Sequence, residues 1–117
     1  MEIARGAVVI VSARGAYTGK PRPALVVQAN SFNPTHASVT ICPITTTCID
    51  APLFRVNLPP GERTGLKSAS QVMVDKIVSV PRASIVREVG RCDEATSHAV
   101  EDALRNWLSL SPNRSRD

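Results

Sequence analysis

Aromatic residues are scarce in this 117-residue chain, two Phe, one Tyr and one Trp, or 3% of the whole. Extensive stacking on flat ligands is therefore excluded, although Tyr17, Phe32 or Phe54 could each hold one ring. The three cysteines, Cys42, Cys48 and Cys92, are odd in number and show no CxxC spacing, which argues against a disulfide framework. With His36 and His98 as the only histidines, a metal site would have to be assembled from groups such as His36, Cys42 and Cys48. Their spacing matches no common ligand pattern. The expectation is buried or incidental thiols, with no metal and no cofactor. No apolar run approaches the ~20 residues that a membrane-spanning helix needs, and Met1-Glu2-Ile3-Ala4-Arg5 lacks the basic stretch and apolar core of a signal peptide. No membrane association and a cytoplasmic location are expected. Finally, carboxylates are missing between Glu2 and Asp50, a stretch that contains Arg5, Arg14, Lys20 and Arg22.

That last gap sets the electrostatics. The net charge is +4, with 43% apolar and 21% charged residues, ordinary values for a globular chain. Residues 1–92 hold 11 Lys/Arg against 5 Asp/Glu, whereas residues 93–117 hold 3 against 5. A basic body with an acidic C-terminal part favours an anionic partner, and phosphate is the obvious one.

Short β-branched runs separated by turn residues dominate the order of elements. Gly6-Ala7-Val8-Val9-Ile10-Val11, Pro23-Ala24-Leu25-Val26-Val27-Gln28, Ser38-Val39-Thr40-Ile41-Cys42 and Phe54-Arg55-Val56-Asn57-Leu58 read as strands. Pro59-Pro60-Gly61 ends the fourth, and Ser70-Gln71-Val72-Met73-Val74 and Ile77-Val78-Ser79-Val80 form a further pair around Asp75-Lys76. Six short, closely spaced strands suggest a barrel or compact sandwich. The period then changes: Ala99, Val100, Ala103, Leu104, Trp107 and Leu108 recur at spacings of three and four, one apolar face of a helix capped by Asp93 and stopped before Pro112. Trp107 is read as core packing. One domain over residues 1–112 and a frayed tail at 113–117 are expected.

Three segments concentrate chemistry. The loop from Ala13 to Pro23 holds two glycines, two prolines and the cations Arg14, Lys20 and Arg22. Arg22 stands between prolines, and that stiff backbone lowers the entropy lost when its planar donors grip a phosphate. Pro43-Ile44-Thr45-Thr46-Thr47 follows a strand with a cluster of hydroxyls that can donate to phosphate oxygens. Ser68-Ala69-Ser70-Gln71, leading to Asp75-Lys76, adds hydroxyls, a carboxylate and a cation. Taken singly, each also reads as strand ends and turns.

Taken in order, Arg5-Gly6, Lys20-Pro21-Arg22-Pro23-Ala24-Leu25-Val26-Val27, Pro43-Ile44-Thr45, Gly65-Leu66 through Ser70 to Val74-Asp75-Lys76-Ile77, and Val100-Glu101-Asp102-Ala103-Leu104 resemble the MazF/PemK toxin family over nearly the whole chain. The resemblance implies a mainly β fold with α, a small antiparallel SH3-like barrel with a C-terminal helix, paired as a homodimer. It implies a metal-independent endoribonuclease that cuts single-stranded RNA and is neutralised by an acidic antitoxin. Carried over residue by residue, Arg22 and Thr45 form the catalytic centre and Asp75 matches an acid/base position. Thr46 and Ser70 match positions near bound RNA, with Lys20 and Lys76 as further RNA-binding cations. Two departures stand out: Tyr17, Thr18 and Lys20 occupy a loop where many relatives carry Glu and some His, and Met73 replaces an arginine found in one branch.

RNA cleavage through the substrate's own 2′-hydroxyl needs neither a metal nor a protein nucleophile. The protein must accept a proton, stabilise charge on a pentacoordinate phosphate and protonate the leaving 5′-oxygen. Arginine suits the charge-stabilising role and is a poor base near neutral pH, which leaves proton acceptance to Asp75 or to water. Two alternatives belong to other classes. A gyrase poison of the CcdB kind would need a terminal Trp-Gly-Ile, but here Trp107 is followed by Leu108 and Ser109. A non-catalytic nucleic-acid-binding barrel would use the same cations without turnover.

Overall fold

The computed structural model describes residues 2–12 and 20–111. Among the described residues there are seven strands: β1 Ala7–Val11, β2 Arg22–Val26, β3 Ser38–Thr45, β4 Arg55–Leu58, β5 Ser70–Met73, β6 Val78–Pro81 and β7 Ile85–Arg91. A helix, α1, spans Glu94–Leu108. Every strand pairing is antiparallel, in the order β4-β5-β3-β2-β1-β7, with β6 joined to the first half of β3. The sheet curls round a core without closing, since β4 and β7 end the path, so the expected barrel is present in open form.

Alternation explains why the sheet has two buried sides. Val8, Leu25, Cys42, Ile44, Val56, Val72 and Val74 fill the interior together with Val100 and Ala103 of α1. The intervening residues Ala7, Val9, Ala24, Val26, Val39 and Ile41 pack on the other face with Ile3 and Ile85. Asp93 caps α1 as expected, its carboxylate accepting from the Thr96 amide at 2.8 Å. Hydrogen bonding from the Thr96 side chain, the larger cause, and from its amide holds the Asp93 carboxyl pKa below its usual range. Ser109, at φ 55°, closes the other end in the left-handed conformation.

Four expectations need correction. β3 runs on through Pro43 to Thr45 instead of ending at Cys42. Proline is tolerated because β3 changes partner there, from β6 over residues 38–41 to β5 at Ile44 and Thr45, so no ladder donor is lost. The two strands around Asp75-Lys76 do not pair with each other, since β5 pairs with β3 and β4 and β6 with β3, and Asp75 and Lys76 lie in a 3-10 turn, Val74–Lys76, between them. β7 is an additional strand, an edge whose exposed Val86, Arg87 and Glu88 break the apolar alternation. Trp107 is not core: it is 49% exposed and meets Phe54 in a tilted contact at 5.7 Å, while Val100 and Ala103 carry the helix's burial. Pro112 and the tail at 113–117 lie outside the described residues, as do Ala13 to Gly19 of the first loop.

Candidate functional site: a cationic, hydroxyl-lined groove

Sheet register assembles the site. β2 and β3 pair as Ala24 with Pro43 and Leu25 with Cys42, and the same register extended by two residues sets Arg22 opposite Thr45. Because residues two apart share a face, both side chains lie on the side of Ala24 and Pro43. Thr45 in turn pairs with Gln71 of β5, and Gln71 with Asn57 of β4. One row of polar side chains, Arg22, Thr45, Gln71 and Asn57, therefore crosses four strands.

Arg22 and Thr45 line a groove of about 400 Å³, together with Thr46, Thr47, Lys67 and Ser68. Arg22 is exposed at the strand start. The Thr45 hydroxyl oxygen accepts from the Thr47 amide at 3.0 Å, which leaves its own proton free to donate, and accepting one bond strengthens the hydroxyl as a donor. Opposite the threonines stands the loop 59–67. Thr64, 3% exposed, donates to the Pro59 carbonyl at 2.8 Å, and Arg91 donates its amide to the Arg63 carbonyl at 2.7 Å. Gly65 and Gly90 allow this loop to lie directly on β7. A Cβ on Gly65, whose φ is +72°, would stand 2.1 Å from the Val89 oxygen, and one on Gly90 would stand 2.3 Å from the Thr64 carbonyl carbon. The loop thus holds Lys67 and Ser68 as the second wall.

Not every expected residue comes to the groove. Ser70 is part of the wall, but it is 4% exposed and donates its hydroxyl proton to the Ser68 carbonyl at 2.9 Å, so it braces the wall. Lys20, Asp75 and Lys76 are outside the lining. Lys20 and Lys76 are exposed. One Asp75 oxygen, Oδ1, is buried without a hydrogen-bond partner. Its charge adds to burial, the larger cause, in pushing the Cys42 thiol up to about 12. Among the described residues the groove has no carboxylate and no imidazole in its lining, and no cluster of three or more His, Cys, Asp or Glu is arranged to hold a metal ion. Lys67, which the sequence reading missed, faces Arg22's groove from a wall 45 positions away; its adjacency to Ser68 was the one available signal.

A second cavity, about 520 Å³, lies by Ile3, Asn30 and Arg82. Arg82 already donates to the Asn33 and His36 carbonyl oxygens, and Glu2 shares the rim, so this larger space offers no free cation to an anion. The groove is the better candidate despite its smaller volume.

Open antiparallel barrel, C-terminal helix and a groove of cations and hydroxyls together define a small β-barrel domain with an anion-binding face. Residues 4–108 match the family model described as PemK-like, MazF-like toxin of type II toxin-antitoxin system, and the chain belongs to that family. The chain is 45% identical over 107 residues to a probable endoribonuclease MazF of Mycolicibacterium smegmatis, covering 92% of this chain and 97% of the relative. It is 31% identical to endoribonuclease MazF6 of Mycobacterium tuberculosis, over 82% and 85% of the two chains. Among solved structures, the Mycobacterium tuberculosis toxin MazF-mt6 superposes with a TM-score of 0.77 at 25% identity, covering 90% of this chain and 98% of that one. A chain of the MazE-MazF crystal structure (Form-III) from Deinococcus radiodurans gives 0.80 at 23%, over 95% and 100%. No helix among the described residues is long and apolar enough to cross a membrane.

Proposed function

We propose that this toxin is a cytoplasmic, homodimeric, metal-independent endoribonuclease that cuts single-stranded RNA at a short sequence, with Arg22 and Thr45 as its catalytic pair. The observation that carries the reading is the shared register and face of those two residues at the mouth of an open groove. A relative 45% identical over nearly its whole length is named as a probable endoribonuclease.

Chemistry follows from the residue types. RNA laid in the groove supplies the attacking 2′-oxygen, which forms a bond to phosphorus as the bond to the 5′-oxygen breaks. The products are a 2′,3′-cyclic phosphate and a 5′-hydroxyl. Arg22 stabilises the charge that grows on the non-bridging oxygens, and Thr45 donates its free proton to one of them. Thr46 and Lys67 hold flanking phosphates, with Lys20 and Lys76 as outlying cations and Ser70 bracing the wall. Since the groove's lining has no carboxylate among the described residues, we assign acceptance of the 2′-proton to water, with water also returning a proton to the departing 5′-oxygen, and Asp75 to shaping the charge near Cys42. The family's antitoxin, acidic and disordered in its C-terminal part, covers the Arg22 groove when bound, where its carboxylates replace phosphates.

The test is incubation of purified protein with a long single-stranded RNA in excess EDTA, followed by sequencing of fragment ends. Cuts at one recurring short sequence, with 5′-hydroxyl ends, support the reading. A folded, growth-inhibiting protein that leaves RNA intact sinks it and points to a protein target such as gyrase.

A further inference from the structure

The threonine wall of the groove continues into residues 46–54, nine positions between β3 and β4 without strand or helix beyond tight turns. Loops of this kind are ordinarily more mobile than the elements they join. Here two side chains fix the path from behind. Gln71, 6% exposed on β5, grips both backbone groups of one loop residue: its Oε1 accepts from the Ile49 amide at 3.1 Å, and its Nε2 donates to the Ile49 carbonyl at 3.0 Å. The same Nε2 donates to Asn57 Oδ1 at 3.0 Å. Arg55, at the start of β4, donates from Nη1 to Gln71 Oε1 and to the Thr47 carbonyl, each at 3.0 Å. Thr46, Thr47 and Ile49 remain exposed, so the backbone is anchored while the side chains face outward.

Two features indicate that this arrangement serves more than stability. Arg55 Nε is buried without a hydrogen-bond partner, and an unsatisfied buried donor destabilises a fold; an unbranched apolar side chain would fill the same space without it. Gln71 stands in the row that contains Arg22 and Thr45, directly beside Thr45, so the fixed loop leaves the groove at the catalytic pair itself.

We propose that Arg55 and Gln71 are positioning residues that set which RNA sequence is cut, by holding residues 46–49 in one path beside the scissile phosphate. This rests on the endoribonuclease reading. Single-stranded RNA is read through base edges splayed against polar side chains and backbone groups, and such contacts discriminate only where the reader is held still. The Thr47 carbonyl and Ile49 backbone are held from the barrel side, so Thr47 and the Ile49 side chain keep fixed places for the bases flanking the cut.

Arg55→Met separates this role from a structural one. Gln71 Oε1 keeps the Ile49 amide as its donor, and the exposed Thr47 carbonyl turns to water, so the variant should fold and melt no lower than wild type. On a randomised RNA pool its cut-site profile should broaden, KM should rise about tenfold, and kcat should stay within about threefold, the size of effect expected when one or two fixing hydrogen bonds are lost. Arg55→Lys, which can still reach both acceptors, should restore most of the profile. An Arg55→Met protein that cuts the same sequences with unchanged KM overturns the inference while leaving the ribonuclease intact. So does one that loses stability and rate together with no change of profile. A folded wild type that cuts no RNA overturns the inference and the reading on which it rests.

Discussion

Replacing Gly90 by alanine should disrupt the groove from a distance. Gly90 lies in β7 opposite Val8, beside a register shift in the β1–β7 ladder. An added Cβ would meet the Thr64 carbonyl carbon at 2.3 Å and the Arg63 and Thr64 carbonyl oxygens at 2.4 Å. All three are backbone atoms, so no side chain can rotate away; the loop 59–67 must retreat by about 1 Å to reach ordinary contact. That movement opposes the 2.7 Å hydrogen bond from the Arg91 amide to the Arg63 carbonyl and the 2.8 Å bond from Thr64 to Pro59. Overpacking costs about 1–3 kcal/mol, and each weakened hydrogen bond adds about 1 kcal/mol. A net loss of roughly 3 kcal/mol lowers the melting temperature of a domain this size by about 10–15 °C. Thermal unfolding followed by circular dichroism, at matched protein concentration, reads this directly. The displaced wall carries Lys67 and Ser68, so KM for RNA should rise as well. A Gly90→Ala protein melting within about 3 °C of wild type would refute the close approach of loop and strand.

Lys67→Ala should weaken RNA binding and reduce the slope of log affinity against log salt by about 0.7, the loss of one phosphate contact on a single strand; salt titrations of a non-cleavable oligonucleotide measure it. Asp75→Asn should keep cleavage within about tenfold of wild type, because general-base removal typically costs about 10²–10⁴ in rate; a larger loss in single-turnover assays would return the aspartate to proton transfer. Cys42, whose thiol is pushed from 9.0 up to about 12 mainly by burial, should resist alkylation at pH 8 in the native protein while the exposed Cys48 reacts. A raised thiol pKa contributes stability that is complete below about 9 and fades as pH climbs toward 12. The melting-point advantage of wild type over Cys42→Ala should therefore shrink across that alkaline window.

Local pattern made most of the fold legible. β-branched runs marked six of seven strands, and Asp93 marked the start of α1, because each signal lies within a few residues of the structure it dictates. Pro43 concealed the end of β3: a proline reads as a terminator unless the partner strand is known to change there. β7 was hidden by its exposed, charged face. The helical stripe overstated burial at Trp107, since spacing reports a face but not how far the barrel extends beneath it. At the site, Arg22 and Thr45 were singled out by family resemblance, because the Arg-Pro and Pro-x-Thr segments taken singly also read as strand ends and turns. Lys67, Arg55 and Gln71 act through contacts across 8 to 22 positions or more, which no local pattern announces. Asp75 was chosen by resemblance, and its half-buried place away from the lining depends on a 3-10 turn that the sequence does not display.

The central claim is that Arg22 and Thr45 act on one phosphate. Single-turnover cleavage of a mapped RNA site by Arg22→Ala, Thr45→Ala and the double variant, each verified as folded, tests it most directly. The expected loss is at least about 10³ for Arg22→Ala and about 10² for Thr45→Ala, magnitudes typical of removing a charge-stabilising donor. The double variant should be scarcely worse than Arg22→Ala, because residues that act as a unit are not additive. Folded single variants that cleave at the wild-type rate would contradict the claim.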